Sequence, residues 1–122
     1  MAKDDKPPQL KPRTKQFALR TIRLVEALPK TKTGDVVGRQ LLRSALSVGA
    51  NYRAARRARS KAEFISKMGI VEEEADESLY WLEMTIEAGL LDKQRINPLM
   101  TEAGEIAAIT VASIRTAKKV KT

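Results

Sequence analysis

Apolar residues recur along this chain at spacings of three and four, the period of a helix with one buried face. From Lys15 to Leu28, such a face is made by Phe17, Thr21, Leu24, Val25 and Leu28. Pro29 stops it, and the segment PKTKTGD forms the turn. A second pattern runs from Asp35 to Ala58, with Leu41, Leu42, Ala45, Val48, Gly49, Tyr52 and Ala55 on its inner side. Gly49 costs about 1 kcal/mol relative to Ala inside a helix, which marks it as a place where a Cβ would collide with a neighbour. Ser60 followed by Glu63 is a capping box, and it opens a third helix from Lys61 to Ala88, ended by Gly89. The inner face of this helix is Phe64, Met68, Val71, Ala75, Leu79, Leu82 and Ile86. After the loop GLLDKQRI, Asn97 and Pro98 read as an N-cap and a first-turn proline. A fourth helix then reaches Lys119 with Leu99, Ala103, Ile106, Thr110, Ile114 and Ala117 inward.

These patterns predict an all-α protein, an antiparallel up-down-up-down four-helix bundle over residues 14–119. Residues 1–13, with Pro7, Pro8 and Pro12 among Lys and Asp, read as a flexible lead-in, and residues 120–122 as a basic tail. No apolar run suggests a secretory leader or a membrane span.

A chain of 122 residues is one domain, long enough to bury a core. It contains no Cys and no His, which removes thiolate chemistry, imidazole ligands and the commonest general base. The lack of Cys suits a reducing cytoplasm, the expected location. Net charge is +8 with pI ≈ 10.0, which fits either a basic surface that serves solubility or attraction to a polyanion such as nucleic acid.

The layout of charge sharpens that expectation. On helix two, Arg39, Arg43, Arg53 and Arg57 fall in one narrow band opposite the apolar face, over roughly 27 Å at 1.5 Å per residue. No acid lies between Asp35 and Glu63, and Arg56 and Arg59 add to the charge. An ordinary solvated face mixes signs, so these six arginines are the candidate nucleic-acid contacts; a plain solvated surface is the competing reading. On helix three, Ile70, Trp81 and Met84 stand away from the inner face and, with Tyr80, make an outer apolar surface. That surface reads as a subunit interface anchored by Trp81, or else as the edge of a wide monomer core.

Glu72, Glu73, Glu74, Asp76 and Glu77 form an acidic cluster on the same helix. Di-iron bundles need a Glu-x-x-His pair, so no metal site is expected. The acids are read as a counterweight to the arginines, with Glu72 partly buried against one of them. No Gly-rich phosphate loop and no activated nucleophile is present, so neither an enzyme nor a cofactor is expected.

The run from Arg43 to Glu83 resembles a known family. The resemblance is carried by Arg43-Ser44-Ala45, Ser47-Val48-Gly49-Ala50-Asn51-Tyr52-Arg53, Arg59-Ser60 with Glu63-Phe64-Ile65, Glu72 to Glu77, and Tyr80-Trp81-Leu82-Glu83. It is similar to the four-helix-bundle proteins first noticed in intervening sequences of bacterial 23S ribosomal RNA genes. Many members have Asn-Ile-Ala-Glu-Gly where this chain has Asn51-Tyr52-Arg53-Ala54-Ala55, so an acid gives way to an Arg-rich stretch. The resemblance implies a homopentamer. It also implies kinship with the accessory proteins of diversity-generating retroelements, basic pentameric barrels that contact nucleic acid and a reverse transcriptase.

The expected function is a non-enzymatic, homo-oligomeric protein that binds nucleic acid, structured RNA in particular. The alternative is an adaptor whose basic face meets an acidic protein, and a small helical enzyme is a distant third.

Overall fold

The computed structural model describes residues 9–121 and places four helices there. They are α1 (Leu10–Glu26), α2 (Lys32–Arg56), α3 (Lys61–Glu87) and α4 (Lys93–Lys119). No strand occurs among the described residues, so the protein is an all-α bundle. Each helix packs on the next in chain order, and α1 also packs on α4, which closes the four into a ring around one core.

Every helix supplies a large, fully buried side chain to that core. Phe17 comes from α1, Leu41 from α2, Met68 and Leu82 from α3, and Ile96 and Ile106 from α4. Burying a side chain of this size stabilises by about 1.5–3 kcal/mol. Small polar residues fill the gaps. Ser44 and Ser78 are fully buried with their hydroxyls 3.1 Å apart across α2 and α3. Both also lie within reach of a carbonyl of their own helix, Leu41 and Glu74 respectively.

The caps define where helices begin and end. Thr31 Oγ1 accepts the Gly34 N–H at 3.0 Å, so α2 begins three residues before the expected Asp35. Ser60 Oγ accepts the Glu63 N–H at 3.0 Å, as the capping-box pattern expects, but the Glu63 carboxylate turns back to the Arg59 N–H rather than to that of Ser60. At the end of α3, Gly89 takes φ +69°, with Gly89 N–H bonded to Ile86 C=O and Leu90 N–H to Thr85 C=O. That paired closure needs a left-handed residue, which glycine adopts without a Cβ clash.

Three expectations need correction. The lead-in was expected to reach Arg13, but α1 starts at Leu10; the lead-in's earlier residues lie outside the described ones. Pro12 sits in the first turn, where its missing N–H would have had no helical partner. Leu10 and Thr14 extend the buried face by one turn. Helix four starts at Lys93 rather than Pro98, with Pro98 inside it and Ile96 fully buried. Proline there removes the bond to the Gln94 carbonyl and crowds that oxygen, at two residues that are both exposed. Finally, a Cβ on Gly49 would meet Thr14 at 3.5–3.6 Å, an ordinary contact and not a collision. Gly34 is the most crowded glycine, where a Cβ would lie 2.1 Å from the Pro29 carbonyl oxygen, and Gly38 follows, where it would lie 3.1 Å from Val25.

Candidate nucleic-acid interface

Charge is unevenly divided among the helices. α1 and α2 each carry five Lys or Arg and a single acid, whereas α3 carries two Lys and eight acids. The acids of the first two helices, Glu26 and Asp35, both sit by the turn that joins them. The far end of the α1–α2 pair is therefore left with cations alone among its described charged groups.

At that end the two helices enclose an open groove of about 670 Å³. Lys11 and Lys15 line it from α1; Arg53 and Arg56 from α2, and Arg57 from its C-cap, line the opposite side. The floor is Thr14, Ala18, Leu46, Gly49, Ala50 and Tyr52. Tyr52 is half-buried and packs on the core while still lining the groove. Close approach of the helices here follows from sequence, since Gly49 sits directly against Thr14. A second recess, about 440 Å³ between Phe64 on α3 and Ile109, Ala112, Ser113, Thr116 and Ala117 on α4, is lined by no charged side chain.

The six candidate arginines do not share one set of neighbours. Arg43 and Arg53 are about 80° apart around the helix axis at 100° per residue. That angle sends them to different neighbours. Arg43 reaches α3, where its guanidinium bonds Glu77 and lies 3.3 Å from Glu74. The bond from Arg43, and then the indole N–H of Trp81 at 3.1 Å, hold the Glu77 carboxyl below the usual carboxylate range. Arg53, Arg56 and Arg57 join the groove instead. Arg39 is exposed nearer the start of α2, and Arg59 is exposed in the link between α2 and α3. Glu72 is half-buried and makes no ion pair with a described residue.

The outer surface of α3 is less apolar than its residue types suggest. Trp81 is half-buried against the core of the bundle and meets Tyr80 edge-on, with ring centroids 5.0 Å apart. Ile70 and Met84 are half-buried, and Tyr80 is 51% exposed. Lys11, Lys15 and Tyr52 belong to the groove but were not among the expected contacts. The two lysines lie on the turn before or at the start of the expected helix one, and Tyr52 reads as plain core on helix two.

Among the described residues, no group of three or more His, Cys, Asp or Glu is arranged to hold a metal ion, and no helix is long and apolar enough to cross a membrane.

A crystal structure at 1.70 Å resolution, of a protein of unknown function from the S23 ribosomal protein family of Bacteroides thetaiotaomicron VPI-5482, has the same fold. It is 33% identical, with a TM-score of 0.83, and the match covers 88% of this chain and 99% of that one. No curated protein matches the chain. Residues 9–112 match the family model of the 23S rRNA-intervening sequence proteins, so the chain that builds this bundle and its basic groove belongs to that family.

Proposed function

We propose that this chain is a non-enzymatic, homo-oligomeric protein that binds structured RNA through the basic end of its α1–α2 pair. The observation that carries the reading is the groove: five cations from two helices converge there, and no described carboxylate lines it. Phosphate binding by Lys and Arg is the main source of affinity for nucleic acid, and Arg offers a planar fork suited to phosphate oxygens. The family resemblance supports the same reading.

The helices are proposed to alternate in direction. Thr14 near the start of α1 meets Gly49 late in α2, and Lys61 at the start of α3 bonds the carbonyl of Val120 beyond the end of α4. Both pairings join a beginning to an end. Five subunits are proposed from the resemblance, with Ile70, Tyr80, Trp81 and Met84 near the contact. The exposed ring of Tyr80 beside Trp81 supports such a surface, because aromatic residues are enriched at interfaces. The cytoplasm is the proposed location.

The test is a salt titration of binding to a labelled RNA hairpin, followed by fluorescence anisotropy. Affinity should fall steeply and linearly on a log–log plot as salt rises. Absence of salt-dependent binding, together with retention of one acidic protein partner, would replace this reading with the adaptor. Light scattering that finds a monomer at tens of micromolar would remove the oligomer.

A further inference from the structure

We infer that the α1–α2 groove seats one unpaired nucleotide of an RNA strand, its base against the Tyr52 ring and its flanking phosphates on the rim cations. This rests on the RNA-binding reading and narrows it. The groove's two parts ask for two different chemistries. Its rim, Lys11, Lys15, Arg53, Arg56 and Arg57, suits phosphate. Its floor, built from Ala18, Leu46, Gly49, Ala50, Tyr52 and Thr14, whose hydroxyl donates to the Lys11 carbonyl, carries no charge and suits a flat apolar surface. A nucleotide joins those two chemistries in one residue.

A paired strand cannot use this floor. In a duplex the faces of the bases are covered by their neighbours, and only the backbone and groove edges are presented. An unpaired base can be splayed out and laid on an aromatic ring. Tyr52 suits this role, because the same half-buried residue packs against the core and lines the groove. The volume of about 670 Å³ falls within the roughly 300–1,000 Å³ of small-ligand sites, which limits the seat to a very few groups. An acidic peptide could match the rim, but it would leave the ring without a flat partner.

The experiment compares a labelled single-stranded RNA with the same sequence annealed as a duplex, by fluorescence anisotropy on the full chain. The parent should bind the single strand more tightly than the duplex. Tyr52→Leu should weaken single-strand binding about ten-fold, within the range for loss of one stacked base, and leave duplex binding and the salt slope as they were. Tyr52→Phe should restore the parent affinity. Because Tyr52 also packs on the core, Ala50→Leu provides an independent arm: the position is exposed, charge is unchanged, and the added bulk narrows the groove. It too should weaken the single strand selectively. Parent-like single-strand binding by both Tyr52→Leu and Ala50→Leu would overturn the nucleotide seat while leaving RNA binding intact. Free adenosine monophosphate binding as tightly as the strand would overturn the strand as the occupant. No salt-dependent binding of either RNA by the parent would overturn both this inference and the reading it rests on.

Discussion

Arg13 on α1 and Glu102 on α4 form a two-pronged ion pair, Nε 2.8 Å from Oε2 and Nη2 2.6 Å from Oε1. Both side chains are largely shielded, at 22% and 17% exposure, and Glu105 adds a more exposed acceptor to Arg13. The pair ties the first helix to the last, and its geometry is the kind in which an Arg–carboxylate contact contributes measurably.

Arg13 holds the Glu102 carboxyl below the usual carboxylate range, chiefly by its side-chain hydrogen bond. A folded-state pKa below the unfolded value adds stability above the unfolded pKa, and that stability is lost as pH falls through the folded pKa. Glu102→Gln should therefore cost about 1–3 kcal/mol near neutrality. Urea melts of parent and variant should converge on the acid side of the ordinary Glu pKa, about 4.3. A gap that stays constant down to strong acid would remove the pair as its cause.

Two glycines of α2 should respond to alanine in opposite ways. At Gly34 the new Cβ would lie 2.1 Å from the Pro29 carbonyl oxygen, so the turn or helix must shift. Overpacking of this kind costs about 1–3 kcal/mol. At Gly49 the new Cβ would rest 3.5 Å from Thr14 Oγ1, and the helix gains up to about 1 kcal/mol in propensity. Thermal melts should move down for Gly34→Ala and up for Gly49→Ala.

The buried serines between α2 and α3 should tolerate loss better than growth. Ser44 Oγ and Ser78 Oγ each have a carbonyl of their own helix in reach, so removing one hydroxyl leaves the other with a partner. Ser44→Ala should cost under about 1 kcal/mol. Ser44→Leu must push the helices apart and should cost about 1–3 kcal/mol or more. Chemical denaturation of the two variants gives the ranking directly.

Helix period and caps made the four elements legible in sequence. Ser60 with Glu63 placed the α2–α3 break, and Gly89 placed the end of α3. At the starts of α1 and α4 the boundary was misread because proline was taken as an edge, and at the start of α2 because the Thr31 cap was taken as part of the turn. Pro12 lies in a first turn, where its missing N–H has no helical partner to lose, and Pro98 lies exposed in the second turn, beside the buried Ile96 that holds α4 to the core. Reading Leu10 and Thr14 as part of the face of Phe17 would have extended α1 and brought Lys11 and Arg13 into the bundle beside Lys15. The basic character of α2 was equally plain, but its division was not. Whether Arg43 or Arg53 meets an acid depends on which helix lies on each flank, and periodicity along one helix does not carry that information. Tyr52 was invisible as a site residue for a similar reason, since one residue meets both core and groove.

That division of the arginines gives the last prediction. Arg43 is already engaged by Glu74 and Glu77, and a phosphate would have to displace those carboxylates before using it. Arg53 and Arg57 stand on the groove with no described carboxylate lining it. On single-stranded RNA each phosphate contact adds about −0.7 to the slope of log K against log salt. Replacing both Arg53 and Arg57 with Gln should therefore flatten the slope by about 1.4 and weaken binding across all RNA sequences. Arg43→Gln should leave the slope nearly unchanged. Its effect should appear instead as a small loss of stability, about 0.2–1 kcal/mol, as expected for a pair in which Arg43 is 48% exposed. Anisotropy titrations at several salt concentrations, with a urea melt of each variant, separate the two roles. Equal flattening by Arg43→Gln and by the Arg53→Gln/Arg57→Gln pair would show that RNA draws on the whole outer face of α2, and the groove would lose its special standing.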